Sequence, residues 1–383
     1  MAEIGVALIG YKFMGRAHSH SYSTVANIFT DCPRPKMRVV CGRDRAGAEA
    51  LAKQFGWESV ETSWEKVLER KDVQAVDLSV PGHLHHTIAV AAAKAGKHIL
   101  CEKPLANTAA QAKEMLDAVV AAKVVHGIVF NYRRVPAIIL AKKMIEDGRL
   151  GQIYHFRARY LQDWIVDPKF PRVWRLDKTQ TGSGALGDLG AHVVDLCRYL
   201  AGEITEVTSL LHTFIKERPL PESDQGAWGS TTGKGMAPVT VDDTAMFLAR
   251  LSAGAVGSFE VTRFALGRKN YNTLEINGSR GSLVFNLERM NELEFYSQDD
   301  TADARGFRNI MVTEGAHHAY ISAWWPPGHT IGYEHTHTHI IYEFLKAVAA
   351  GQSPVPNFED GYRCNLVLDA VERSSTSGKW EKV

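Results

Sequence analysis

Cys101-Glu102-Lys103-Pro104 closes a short apolar run at 98–101. A lysine at the carboxyl end of a parallel strand stands where open α/β sheets collect their ligands. There it can hydrogen-bond a substrate oxygen and stabilise an alkoxide as hydride departs. Far along the chain, the block from Gly182 to Asp195 places Asp188 four residues before His192 and Asp195 three after it. On a helix Asp188 and His192 share a face. A histidine beside a carboxylate suits general-base work on an alcohol, and a buried structural histidine fits the same pattern.

A third signal lies near the start. Gly10-Tyr11-Lys12-Phe13-Met14-Gly15 follows the apolar run 4–9 and precedes a helical pattern. It keeps the first and third glycines of G-x-G-x-x-G, with Lys12 in the middle position. Gly10 permits the tight turn, and Gly15 lets the helix pack closely on the sheet. The helix N-terminus then faces a pyrophosphate. Lys12 must turn its side chain aside, or bring its ammonium to phosphate. About 20 or more residues past such glycines, NAD-preferring folds place an acid on the ribose hydroxyls. Here the second strand ends Cys41-Gly42-Arg43-Asp44. A small residue and a cation leave room and charge for a 2′-phosphate, so NADP is expected ahead of NAD. Asp44 keeps NAD open, and Arg43 also reads as a solvated surface cation.

These residues need a scaffold. Apolar runs at 4–9, 37–41, 75–80, 98–101 and 124–130 read as strands. Between them, 14 onward, 45–55, a short stretch capped by Ser63, 83–95 and 108–122 read as helices. The alternation predicts βαβ units with right-handed crossovers, a doubly wound parallel Rossmann sheet over 1–130. After about residue 150 strand patterns dominate, at 152–161, 205–215, 244–251, 255–263, 272–276 and 282–286. They predict an α+β domain over 131–383, for substrate and oligomer contacts, with a large, open, mostly antiparallel sheet. Gly278-Ser279-Arg280-Gly281 reads as a hairpin turn, and 217–238, rich in Pro, Gly and Ser, as a long loop.

The length of 383 residues suggests about two domains. A net charge of +1 argues against non-specific nucleic-acid binding. No apolar run approaches the ~20 residues of a membrane span. The start shows neither basic n-region nor cleavage site. The cysteines at 32, 41, 101, 197 and 364 have no zinc or redox spacing, and Cys41 and Cys101 read as buried thiols. A cytoplasmic protein is expected.

The chain resembles the glucose–fructose oxidoreductase/inositol dehydrogenase (Gfo/Idh/MocA) family. The likeness rests on the glycine loop, Pro81-Gly82-His83-Leu84-His85, Glu102-Lys103-Pro104, Asn131-Tyr132-Arg133-Arg134 and the Gly187-Asp188, His192, Asp195 block. Gly82 stands where the family usually has asparagine. Tyr160-Leu161-Gln162-Asp163-Trp164 and Gly184-Ala185-Leu186-Gly187-Asp188 are similar to its levoglucosan-dehydrogenase-like branch of sugar dehydrogenases. The resemblance implies Lys103, Asp188 and His192 as the catalytic group. It implies cofactor contacts from Gly10, Lys12, Phe13, Met14, Gly15, Gly42, Arg43, Asp44, Val80, Pro81, His85, Glu102, Lys103 and Asn131. For a sugar, glycoside or cyclitol substrate it points to Lys103, Tyr132, Gln162, Trp164, Trp174, Arg175, Asp188 and His192. An aromatic wall with amide and carboxylate groups suits a sugar ring, and core packing also accounts for Trp164.

The implied activity is NAD(P)-dependent, reversible oxidation of a secondary hydroxyl, in a homodimer or homotetramer. The rival readings are an NADPH-dependent keto-sugar reductase and a dinucleotide-sensing protein without catalysis. His335, His337 and His339 alternate before a helical pattern. No metal is expected, and His335 reads as a substrate-pocket residue or as part of the helix entry.

Overall fold

In a computed structural model, the structure describes residues 2–222 and 232–383. Contacts divide the chain into two units. One is Met1–Arg134 with Ile331–Asn365, the other Val135–Thr330 with Leu366–Val383. The boundary expected at 130/131 therefore moves by four residues. Residues 331–365, read from sequence as part of the second domain, belong to the first unit. The reason is the helix Tyr333–Ala350, which packs along the helix Phe13–Ile28 of the first unit.

The first unit holds six strands: β1 (Glu3–Ile9), β2 (Arg34–Cys41), β3 (Ser59–Glu61), β4 (Ala75–Leu78), β5 (His98–Cys101) and β6 (His126–Ile128). They run parallel in the order β3-β2-β1-β4-β5-β6. Strands covered on both faces read as continuous apolar runs, and Val6, Ala7, Leu8, Val76, Leu78, Ile99 and Leu100 are all buried. Asp77 is the exception, a fully buried carboxylate inside β4. Helix starts follow the expected chemistry: Asp44, Ser63 and Thr108 each accept a hydrogen bond from a first-turn amide.

Among the described residues, the second unit is built on a nine-stranded sheet. Its strands are β7 (Ile153–Leu161), β8 (Ile204–His212), β11 (Thr244–Leu251), β12 (Val256–Thr262), β13 (Tyr271–Gly278), β14 (Gly281–Asn286), β15 (Glu292–Ser297), β16 (Arg308–Met311) and β17 (Glu381–Lys382). Their order is β16-β15-β14-β13-β7-β12-β11-β8-β17, with β7 and β12 the parallel pair and the other neighbours antiparallel. Residues alternate between faces: on β11, Ala245, Phe247, Ala249 and Leu251 are buried while Met246 and Leu248 are exposed. The stretch 217–238 is not a simple loop. β9 (Glu217–Pro221) and β10 (Thr232–Pro238) pair antiparallel, and residues 223–231 lie outside the described residues. Among the described residues no helix is long and apolar enough to cross a membrane.

Candidate active site

The first unit brings the expected dinucleotide residues to the carboxyl edge of one sheet. Gly10 has φ +109°, a conformation that favours glycine, and a Cβ there would meet the Ser79 carbonyl oxygen at 2.3 Å. A Cβ on Gly15 would meet the Gly10 carbonyl oxygen at 2.1 Å. No side chain caps the helix that begins at Phe13, so its first turn presents amides to an anion. A dinucleotide pyrophosphate fits this cradle. Lys12 turns its side chain aside, its Nζ lying 5.2 Å from the centre of the Tyr11 ring. Phe13 is exposed, and Met14 is half-buried.

Tyr11 also changes the reading of β2. Its ring fills the space over Gly42, where a Cβ would come within 2.1 Å of Cδ1. The glycine thus accommodates Tyr11 rather than leaving open room for a 2′-phosphate. Asp44 accepts from the Tyr11 hydroxyl at 3.3 Å and from the Gly47 amide at 3.1 Å. Arg43 is exposed at the strand end.

His85 is buried with its ring between backbone carbonyls, Nε2 3.0 Å from Val80 and Nδ1 3.0 Å from Pro104. It ties the loop of Val80 and Pro81 to the loop after Lys103. Burial holds its pKa below the ordinary histidine value. Lys103 is half-buried at the end of β5. Glu102 turns inward: Oε2 accepts the Lys103 backbone N–H at 3.0 Å, and Oε1 lies 3.1 Å from His18 Nε2. On its other side His18 Nδ1 lies 2.9 Å from both Asp77 oxygens, and Asp77 accepts from Tyr22 and Ser79 hydroxyls at 3.0 Å.

Burial alone would push His18 down, but the Asp77 charge and the Asp77 and Glu102 hydrogen bonds raise it to about 10. Burial would raise Glu102, but the His18 hydrogen bond and the His18 and Lys103 charges hold it below the usual carboxylate range. The sequence reading missed His18 and Asp77. The visible signal was Asp77 itself, a charge in the apolar run 75–80.

The three alternating histidines separate. His335 Nδ1 accepts the Gly332 amide at 3.0 Å, the helix-entry role. His339 Nδ1 lies 3.0 Å from the Arg134 carbonyl oxygen. His337 packs against His18, with ring centres 5.3 Å apart. Its Nε2 lies 3.4 Å from the amide of Asn131, which also donates to Thr336 at 2.9 Å. Tyr132, beside Asn131, is buried in the same unit.

Burial pushes His126 down to about 4 and His337 and His339 to about 3. A pH dependence of stability follows. Groups with depressed folded pKa stabilise above their unfolded value, near 6.5, and lose that contribution as pH falls towards 3–4. His18 has the opposite sign: its contribution is complete below about 6.5 and is lost as pH rises to about 10. Stability should therefore peak near pH 6.5 and fall on both sides, more steeply towards acid, where three histidines act together, than towards base, where His18 acts alone. Urea midpoints from pH 4 to 10 check this, and a midpoint that rises steadily to pH 9 contradicts it.

In the second unit the expected substrate residues form one connected chain. Asp188 lies in a wide π-helical turn, Leu186–Gly190, which leads into the helix Ala191–Ala201 carrying buried His192. Such turns cluster at functional sites. Arg263 Nη2 donates to Asp188 at 2.9 Å, and Arg175 Nη1 lies 3.5 Å away. The Arg175 guanidinium sits 4.6 Å from the Trp174 ring, and that of Arg263 5.3 Å from Trp164. Trp164 Nε1 donates to Gln162 at 3.0 Å. Gln162 and the Tyr160 hydroxyl both donate to Asn270, at 3.0 and 2.7 Å, and the Tyr160 ring lies 5.9 Å from His192.

β7 stops at Leu161, so Gln162 and Trp164 lie beyond the strand. Trp164 also packs on the core cluster of Ile165, Val173, Leu176, Val239 and Val241. The turn before Asp188 is fixed by buried Asp242, which accepts the Gly184 and Leu186 amides at 2.6 and 2.7 Å. Sequence reasoning missed Arg263, Asn270 and Asp242, which are remote in the chain from the residues they hold.

Over 389 aligned residues the chain is 46% identical to levoglucosan dehydrogenase of Pseudarthrobacter phenanthrenivorans, covering 100% of this chain and 99% of that one. The model of an oxidoreductase family with an NAD-binding Rossmann fold matches residues 4–130, and that of the GFO/IDH/MocA C-terminal domain matches 138–284. The chain belongs to the GFO/IDH/MocA family. Its fold is that of solved GFO/IDH/MocA relatives. An oxidoreductase domain protein from Kribbella flavida has 50% identity and a TM-score of 0.94, with 100% of each chain covered. A levoglucosan dehydrogenase solved in complex with NADH and levoglucosan has 45% identity and a TM-score of 0.93, covering 100% of this chain and 99% of that one. As a GFO/IDH/MocA member the protein is a nicotinamide-dependent oxidoreductase.

Proposed function

We propose that the protein oxidises a secondary hydroxyl of a sugar, reversibly, with a nicotinamide dinucleotide as hydride acceptor. The observation that carries this reading is the chain Arg175–Asp188–Arg263–Trp164–Gln162. It joins a held carboxylate, an amide and aromatic faces, the groups that recognise a polyhydroxylated ring. A relative of 45% identity solved with NADH and levoglucosan supports an anhydrosugar as the first candidate.

When bound, the dinucleotide supplies the hydride acceptor. In this reading His192 takes the hydroxyl proton. Lys103 stabilises the negative charge that develops on the substrate oxygen. Asp188, fixed by two arginines, accepts hydrogen bonds from the ring hydroxyls. The five cysteines are buried thiols, which suits a reducing compartment such as the cytoplasm.

For the dinucleotide, NAD(H) is the proposed working form. Tyr11 fills the space over Gly42, and the Asp44 carboxylate beside it disfavours a 2′-phosphate. NADP(H), expected from the sequence, retains the exposed Arg43 in its favour. A panel of sugars with levoglucosan at its head, assayed by absorbance of reduced cofactor with NAD and NADP, tests both points. NADH formation on at least one sugar is expected, with Arg43→Ala changing NAD affinity less than threefold. Tight cofactor binding with no turnover on any sugar would make the protein a sensor. Tighter NADP binding, lost in Arg43→Ala, would reverse the cofactor assignment.

A homodimer or homotetramer built on the outer face of the large sheet is part of the same reading. Leu210 and Met246 stand opposite each other on neighbouring strands, and Leu248 and Val256 lie on the same exposed stretch. Exposed apolar side chains gathered on one sheet face suit an interaction surface. Light scattering at micromolar concentration should give a multiple of 42.4 kDa. Met246→Glu with Leu248→Glu should reduce it to the monomer mass, and a wild-type monomer would defeat the assignment.

A further inference from the structure

The carboxyl edge of the first unit carries a buried polar chain that the proposed reaction does not use. It runs from Tyr22 and Ser79 through Asp77 to His18, then through Glu102 to the backbone amide of Lys103. His18 and Asp77 are wholly buried and Glu102 is nearly so. Three elements contribute: the helix Phe13–Ile28, β4 and the end of β5.

A buried carboxylate is costly unless it is paired and hydrogen-bonded. His18 meets that need for two carboxylates at once, since each ring nitrogen faces one. This engagement also argues against a metal ion. His18, Glu102 and His337 offer ligand atoms within 4.8 Å of one another, but each His18 nitrogen is already directed at a carboxylate. The Nε2 of His337 is already directed at the Asn131 amide.

We infer that His18 is a positioning residue for Lys103, acting through Glu102. His18 fixes Oε1 of Glu102, which leaves Oε2 to accept the Lys103 N–H. The backbone from which the lysine side chain departs is thereby set on the rigid end of a strand. A displacement of about 1 Å at a reacting group can cost about 10²-fold in rate, so a contact two residues removed from the chemistry can govern turnover. The inference rests on the reading of Lys103 given above.

Two substitutions separate the contacts of His18. His18→Gln places an amide donor near the Nε2 position and can still reach Glu102. His18→Asn places it near Nδ1 and reaches Asp77 alone. Both remove the ring and its charge, so both should lower the melting temperature. With levoglucosan or the best sugar of the panel, His18→Asn should lower kcat by about 10²-fold with the NADH dissociation constant unchanged. His18→Gln should recover most of that loss. Equal kcat per folded enzyme in both variants and in wild type would reduce His18 to a structural role. Stoichiometric zinc or manganese in the purified protein, lost in both variants, would also overturn the inference.

Lys103→Ala belongs in the same series. If it keeps full turnover, the role of Lys103 fails first. If it loses turnover while His18→Asn does not, only the positioning role fails. Should neither His18 variant fold, nitrogen-15 spectra of wild-type histidines decide. A proton held on His18 Nε2 from pH 6 to 9 supports the inference, and an unprotonated Nε2 contradicts it.

Discussion

Lys103→Ala is expected to lower turnover by about 10²–10⁴-fold, the usual loss when a positioned acid–base group is removed, while NADH binding and melting temperature stay near wild type. The half-buried lysine lies at the end of β5, on a backbone held by Glu102, and its loss leaves that chain of hydrogen bonds intact. His192→Ala should lose turnover similarly. His192 is buried beside Tyr160, so some loss of melting temperature accompanies it. Stopped-flow turnover and differential scanning fluorimetry on the same samples separate the alternatives. A purely structural His192 would show a large fall in melting temperature and full turnover in the folded fraction.

The second large effect concerns Asp188. Arg263 is 1% exposed and Asp188 20%. Removing one partner of a buried pair costs roughly 3–5 kcal/mol, and the partial exposure of Asp188 places Asp188→Ala near the lower end. The melting temperature should therefore drop by several degrees, with turnover reduced at least tenfold by the loss of the substrate contact. The double variant Asp188→Leu with Arg263→Met replaces both charges with apolar groups and should regain much of the stability. Its turnover should stay low. Recovery of turnover together with stability would show that Asp188 acts only by neutralising Arg263.

Much of the first unit was legible because a parallel strand buried on both faces leaves an unbroken apolar run. That is why 4–9, 75–80 and 98–101 were readable, whereas the Asp44 cap of the helix over 45–55 was not read from the sequence. β3 was not found, because its three residues, Ser59-Val60-Glu61, are only half-buried and make no apolar run. β9 and β10 were hidden by their prolines and glycines, which signal a loop when the partner strand is unknown. The helix Tyr333–Ala350 was visible, but nothing local to it says that it packs in the first unit.

For the site, residue types at strand ends were readable and their partners were not. Glu102 was read as facing a cofactor, and its carboxylate instead points at His18, 84 residues earlier. Asp188 was read with His192, four residues on, while a strong visible partner is Arg263, 75 residues away. Gly42 was read as space for a phosphate, and the occupant is Tyr11, from the preceding turn of the sheet edge. Charges and glycines in unexpected places marked these positions, but spacing cannot supply a partner that the fold brings in from elsewhere.

The proposed reaction is hydride transfer from a sugar carbon to the nicotinamide. Its most direct test is a single incubation with NAD and levoglucosan deuterated at its carbinol carbons, followed by mass spectrometry of the reduced cofactor. The expected result is NADH one mass unit heavier, a keto-sugar as co-product, and label transfer slowed by about 10²–10⁴-fold in Lys103→Ala. Unlabelled NADH, or a cofactor that remains oxidised while sugar and dinucleotide are both bound, would contradict it.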